Sequence, residues 1–113
     1  MEYTVQQIKD IVAEASQAAT EAASLFFQTK LGGRDQFACG FAWVDIHGIK
    51  GNTKMGRNMK AAGVRQSYTK AFQLWNPSGS PVQNIDTKEA GAQAYAEVFK
   101  RHGFEAYASS RLD

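Results

Sequence analysis

A chain of 113 residues with a net charge of +2 is long enough for one folded domain and too short for several. Its single cysteine, Cys39, excludes a disulfide within the chain, which fits a reducing compartment. No uncharged apolar run reaches the length of a signal sequence or a membrane span. We therefore expect one domain, residues 1–113, that is cytoplasmic and has no membrane partner.

The first predicted element is a long amphipathic helix from Val5 to Lys30. Thr4 and Gln7 are spaced as a capping box, in which each side chain bonds the backbone amide of the other residue. Apolar residues then recur every three or four positions, and those in the middle are alanines. Gly32-Gly33 ends the helix. The alanine stripe is expected to pack on the sheet of its own chain, and the alternative is pairing with a second copy.

A strand is predicted from Gln36 to Ile46, because residues alternate there with a period of two and aromatic side chains are frequent. The larger side chains of one face are Phe37, Cys39, Phe41 and Trp43, and the other face carries Ala38, Gly40, Ala42, Val44 and Ile46. We expect the small-residue face to receive the first helix, and the larger face to build the core or a partner surface. Cys39, between two small residues, is predicted to be buried.

The later elements predict an α+β fold. A short helix from Arg57 to Ala62 is stopped by Gly63, and a second strand follows from Val64 to Trp75. The next helix opens with the capping box Asp86-Thr87-Lys88-Glu89 and is ended by Gly103. A third strand runs from Phe104 to Ser109. We therefore expect a three-stranded sheet, with the long N-terminal helix and a second helix in the C-terminal half packed mainly on one face.

Positive charge is concentrated in one third of the chain, residues 47–80, which we call the basic segment. It holds six lysine and arginine residues and no acid, although the whole chain has 13 basic and 11 acidic residues. A basic, glycine-rich and aromatic segment is typical of a surface that meets a polyanion, with bases stacked on aromatic rings and phosphates held by cations. The predicted contact residues are Lys50, Lys54, Arg57, Lys60, Arg65, Tyr68, Lys70 and Trp75.

Two other functional hypotheses have less support in the sequence than the polyanion-binding surface. Residues 51–58 approach the phosphate-loop pattern, but Arg57 and Asn58 replace its lysine and its magnesium-binding hydroxyl. This argues against nucleotide hydrolysis and leaves a loop that could hold a phosphate through backbone amides and Arg57. Asp45 and His47 share one strand face and could bind a metal or transfer a proton, but no further ligands accompany them. A polar pair at a strand end is the expected role.

The favoured function is a non-enzymatic protein that binds nucleic acid or another polyanion through the basic segment, without a cofactor or a metal. The alternative is a protein-interaction or self-assembly module, a homo-oligomer formed through the alanine-rich helix. A third hypothesis is a small enzyme centred on Asp45, His47 and Arg57.

Three stretches in the C-terminal two thirds of the chain resemble small uncharacterised proteins of marine tailed bacteriophages. They are Trp75-Asn76-Pro77-Ser78-Gly79, Asp86-Thr87-Lys88-Glu89-Ala90-Gly91-Ala92 and Ser110-Arg111-Leu112-Asp113. The resemblance brings no assigned activity with it. It implies a phage accessory protein that acts in the host cytoplasm.

Overall fold

The computed structural model describes residues 2–113 and confirms the α+β class. The elements are α1 (Val5–Lys30), β1 (Gly40–His47), α2 (Lys54–Ala61), β2 (Arg65–Gln66), β3 (Phe72–Trp75), α3 (Ile85–Arg101) and β4 (Glu105–Leu112). The sheet has four strands, so the prediction of three is wrong by one. No helix within residues 2–113, the 26-residue α1 included, combines the length and apolar character needed to cross a bilayer.

The strand order is β2-β3-β1-β4, and every neighbouring pair is antiparallel. From β1 onward the chain runs strand, helix, strand, strand, helix, strand, and β3 lies between β1 and β2. These are the order and directions of the split β-α-β arrangement found in ferredoxin-like domains, here preceded by the additional helix α1. The arrangement places β1 and β3 at the centre of the sheet.

The predicted second strand is in fact a hairpin, and this accounts for the fourth strand. The amide of Ser67 donates to the carbonyl of Ala71 at 2.7 Å, and Lys70 closes the turn in a left-handed conformation with φ of 76°. Residues 67–70 contain no glycine, proline or asparagine, which usually mark such turns. Tyr68, predicted on the strand, therefore lies at the tip of the turn and is 99% exposed.

Two helices begin earlier than predicted because other residues cap them. Thr53 caps α2, which starts at Lys54 rather than at about residue 57. Asn84 caps α3, and its side-chain oxygen accepts from the amide of Thr87 at 2.8 Å. The predicted capping box at residues 86–89 therefore lies inside the first turn.

Strand β1 begins at Gly40 rather than at residue 36. Phe37 has a φ of 71°, which is incompatible with an extended strand, and its side chain is exposed. Cys39 is exposed as well, so the prediction that it is buried is wrong. Strand β4 runs to Leu112, three residues beyond the predicted end.

Helix α1 has the predicted bounds, and both hydrogen bonds of its Thr4–Gln7 capping box are present. Its alanine stripe packs along α3 of the same chain, where Ala15 and Ala19 are fully buried. A Cβ atom on Gly91 of α3 would lie 3.3 Å from the carbonyl oxygen of Ala19, so glycine permits this close approach. The stripe is therefore covered within the monomer, mainly by a helix rather than by the sheet.

The small-residue face of β1 forms the floor of the core. It packs against α3 and not against α1, so the prediction that it receives the first helix is wrong. Ala42, Val44 and Ile46 are at most 1% exposed and belong to one cluster with side chains of all three helices. In α3, the rings of Tyr95 and Phe99 stack at 5.2 Å. Burying each large apolar side chain contributes roughly 1.5–3 kcal/mol to stability. Since the helices cover this face, the other face of the sheet is left open.

The carboxylate of Asp35 joins the α1–β1 loop to the start of α3. It accepts hydrogen bonds from the amide of Gln83 at 2.8 Å, and from the amide and the side chain of Asn84 at 3.1 and 3.0 Å. The bond from the Asn84 side chain, followed by the two backbone bonds, holds the pKa of Asp35 below its usual value of 3.8. Asp35 thereby positions the residue that caps α3.

We expect the Asp35 bonds to make stability depend on pH. A carboxyl whose pKa is lower in the folded state contributes stability that is complete above its unfolded pKa and is lost as pH falls through the folded value. Stability should therefore decrease below about pH 4. At neutral pH, Asp35→Ala should lower the free energy of unfolding. It should also flatten the decrease of stability at acid pH, the acid limb of the stability curve. Urea unfolding across the pH range measures both effects. The hydrogen bond from His102 lowers the pKa of Glu14, so Glu14 supplies the pH dependence of stability that remains in Asp35→Ala. Glu14→Gln is the control, and it should remove only that remaining part. An unchanged acid limb in Asp35→Ala would contradict this role.

Candidate nucleic-acid interface

The open face of the sheet carries three aromatic side chains on its two central strands. Trp43 of β1 and Trp75 of β3 are directly opposed, and their rings stack 4.6 Å apart with an angle of 22° between them. Phe41 meets Trp75 edge-on at 6.4 Å. Trp75 is 49% exposed and Phe41 is 37% exposed. We call Phe41, Trp43 and Trp75 the aromatic cluster; it offers flat apolar surface directly to solvent.

Hydrogen bonds fix the orientation of both indole rings. The Nε1 of Trp75 donates to Gln73 at 3.2 Å, and the Nε2 of Gln73 donates to Asp45 at 2.7 Å. Asp45 also accepts from the Nε1 of Trp43 at 3.1 Å and from the Oγ of Ser109 at 3.5 Å. This hydrogen-bond network holds the two indole rings in one arrangement. A surface that is ordered in advance binds a ligand at a lower entropic cost.

The Asp45–His47 pair is not brought together as a catalytic pair. Asp45 is engaged with the aromatic cluster, and the ring of His47 lies 5.9 Å from that of Tyr107 in a tilted arrangement. Within residues 2–113 there is no group of three His, Cys, Asp or Glu side chains placed to hold a metal ion. Asp45 is therefore best described as a positioning residue for the two tryptophans.

Cations surround the cluster, and two of them come from outside the basic segment. The guanidinium of Arg111 lies 5.5 Å from the centre of the Phe41 ring, and the ammonium of Lys88 lies 5.6 Å from it. Arg65 is opposite Gln73 on the edge strand β2. Sequence reasoning missed Phe41, Trp43, Lys88 and Arg111 as members of one surface, because only the pairing of distant strands brings them together.

A groove of about 730 Å³ lies beyond His47, at the end of the sheet. Its walls are the β1–α2 loop and the β2–β3 turn, and Lys50, Lys60 and Lys70 line it from three different elements. We call it the lysine groove. A Cβ atom at Gly51 would collide with the side chain of Gln66, so glycine lets the loop approach the hairpin.

The aromatic cluster and the lysine groove are connected. Arg65, Gln66 and Trp75 line a second, smaller depression, and Gln66 lines the groove as well. Within residues 2–113 the ion pairs join Glu14 to Arg101 and His102, so no carboxylate in that range forms an ion pair with a cation of the basic segment. Arg65 is the cation on the path from Trp75 to the groove, and it has no ion-pair partner among these residues.

Three predicted contact residues lie elsewhere. Tyr68, at the tip of the β2–β3 turn, lines neither the groove nor the smaller depression. Lys54 and Arg57 are exposed on α2, and neither lines the groove. The guanidinium of Arg57 donates to the carbonyl of Asn52 at 2.7 Å, while the amides of Gly56 and Arg57 both donate to Thr53, the cap of α2. The guanidinium and two of the amides that the phosphate-loop hypothesis would use are therefore already bonded within the chain.

Comparison of the chain with protein-family models, curated proteins and solved structures finds no match. The functional argument therefore depends on the geometry of the open sheet face and the lysine groove.

Proposed function

We propose that this chain binds single-stranded nucleic acid across the open face of its sheet. Bases stack on the aromatic cluster, and the sugar-phosphate backbone runs past Arg65 into the lysine groove. The observation that carries this proposal is the stacked pair of half-buried Trp43 and exposed Trp75 on the two central strands.

Stacking on rings of the central strands is the mode by which four-stranded RNA-binding sheets hold unpaired bases. It favours single strands over duplexes, because paired bases do not expose their faces to the protein. It also tolerates sequence variation, since every base has a flat face, and each stacked base contributes roughly 1–3 kcal/mol.

The charge layout fits a strand that crosses the sheet obliquely. Asp45 carries negative charge at the centre of the open face, where it would repel a phosphate. The cations of the basic segment lie to one side of it, from Arg65 on the edge strand to the groove, while Lys88 and Arg111 lie beside Phe41. Along β1, Trp43 and His47 are four residues apart, about 13 Å at the rise of a strand. A short oligonucleotide therefore reaches from the cluster to the groove.

Binding can be followed without a label, because the chain contains two tryptophans and both belong to the cluster. We expect a single strand of about ten nucleotides to quench tryptophan fluorescence and to bind more tightly than a duplex of the same sequence. Contacts from the three groove lysines and Arg65 give a plot of log K against log[salt] with a slope of about −3. DNA and RNA strands are titrated in parallel. Absence of binding at low salt, a preference for duplex, or a salt-independent affinity would refute the proposal.

A further inference from the structure

Strand β4 forms one edge of the sheet, and its outer backbone groups have no strand partner within residues 2–113. The amide of Asp113 donates to the carbonyl of Cys39 at 3.1 Å, and β4 keeps an unbroken register with β1 from Leu112 to Glu105. Since bonding direction alternates along an antiparallel strand, odd-numbered residues of β4 bond to β1. The amides and carbonyls of Ala106, Ala108 and Ser110 therefore point outward.

This edge lacks most of the features that proteins use to prevent strand pairing. Its eight residues include no proline, no glycine and no bulge. Its two charged residues, Glu105 and Arg111, are near opposite ends, and the middle of the strand carries only small side chains and Tyr107. An unprotected edge of this length is a template for a further strand.

We propose that β4 pairs antiparallel with β4 of a second copy of this chain, about a two-fold axis at Ala108. The outward amides and carbonyls belong to even-numbered residues of β4. An even-numbered residue of one copy must therefore face an even-numbered residue of the other copy. This pairing keeps the open faces of the two sheets on the same side. Among the registers this allows, the one centred on Ala108 places Glu105 opposite Arg111 of the second copy, and the symmetry repeats this pair.

The neighbouring registers are less favourable. Shifting the axis to Ser109 places Glu105 opposite Asp113 of the second copy, which opposes two like charges. Shifting it to Tyr107 places Arg111 opposite Gly103 and leaves Glu105 without a cation. Only the axis at Ala108 satisfies the backbone bonds and both charges together.

The resulting dimer has a continuous eight-stranded sheet, with the aromatic clusters of both copies on one side. This proposal stands whether or not the open face binds nucleic acid, because it uses the outer edge of β4 and not the stacked tryptophans.

Lys100 limits the strength of this dimer. It belongs to α3, on the covered side of the sheet, yet its ammonium lies 5.5 Å from the ring centre of Tyr107 on the open side. The side chain therefore reaches around the β4 edge and has to move aside before a second strand can pair. One pair of strands also buries less surface than a standard interface, so we expect a weak dimer.

Sedimentation velocity from about 1 µM to about 1 mM protein tests the proposal. We expect a monomer–dimer equilibrium that is weakened about tenfold by Glu105→Arg or by Arg111→Glu, since each opposes like charges twice. The double variant should restore it, because the swapped charges again face each other. Lys100→Ala should strengthen the dimer. Circular dichroism confirms that each variant is folded.

A monomer at all concentrations, single variants without effect, or a double variant that fails to restore the dimer would overturn the proposal. A second measurement uses the unmodified protein, so it does not depend on how the variants fold. In that protein, the amides of Ala106, Ala108 and Ser110 should become more protected from hydrogen exchange as concentration rises. Unchanged protection at these amides in a protein that does dimerise would place the interface elsewhere.

Discussion

Replacing Lys50, Lys60 and Lys70 together by glutamine should reduce the affinity for a single strand about a hundredfold near 0.1 M salt. Each lysine–phosphate contact on a single strand contributes about 0.7 to the slope of log K against log[salt], so three contacts account for about 2. The slope should therefore become shallower by that amount. The measurement is a fluorescence titration at several salt concentrations.

A variant with the same change in net charge is the matched control. Lys9, Lys30 and Arg34 are exposed and lie outside the open face and the groove. Their replacement by glutamine should leave the affinity within about threefold and the slope almost unchanged. Lys54→Gln with Arg57→Gln gives a comparison inside the basic segment, and its effect should also be small. Equal losses in all three variants would show that overall charge, and not the groove, attracts the ligand.

Replacing Trp75 by alanine should weaken binding by about 1–3 kcal/mol, since one stacked base loses its platform. The salt slope should stay the same because no phosphate contact is removed. Trp43 remains as the fluorescent probe, so the titration reads out the same site. Trp75→Phe should retain most of the affinity, because a smaller flat ring still stacks.

Phe37→Ala is the matched control for this second prediction. Phe37 is an aromatic residue with 69% exposure, but it lies before β1 and outside the cluster. We expect its removal to leave the affinity unchanged. Unaltered binding in Trp75→Ala, or a loss accompanied by a shallower salt slope, would contradict stacking at this position.

The parts of the fold that sequence predicted well are those determined by nearby residues. The bounds of α1 follow from the Thr4–Gln7 capping box and a regular apolar period. Gly63 and Gly103 end their helices in a left-handed conformation, with φ of 96° and 90°. The two faces of β1 follow from alternation alone, although alternation did not predict which of them builds the core.

The hairpin could not be predicted, because its turn is held by backbone–backbone hydrogen bonds and by one side chain that bonds the backbone. Gln66 donates from its Nε2 to the carbonyl of Lys70 at 2.9 Å, and Ser67 bonds the carbonyl of Ala71. These bonds stabilise a left-handed Lys70, a residue with no intrinsic preference for that conformation. Residue patterns that identify turns through glycine or proline do not detect it.

The site was predicted in part, for a related reason. Linear clustering identified Lys50, Lys60 and Lys70, which the loop, α2 and the hairpin turn do place around one groove. It also included Lys54, Arg57 and Tyr68, none of which lines the groove. The partner of Trp75 could not be found, because Trp43 is 32 positions away and becomes its neighbour only through the register of β1 with β3.

The packing of α1 along α3 has a consequence for how the chain acquires its structure. During synthesis, the first helix leaves the ribosome long before the segment that will cover it, and an isolated helix is only marginally stable in water. Its apolar stripe stays available to other proteins, chaperones included, until residues 85–101 have emerged. A nascent chain stalled before that point should therefore be captured more readily than one stalled after it.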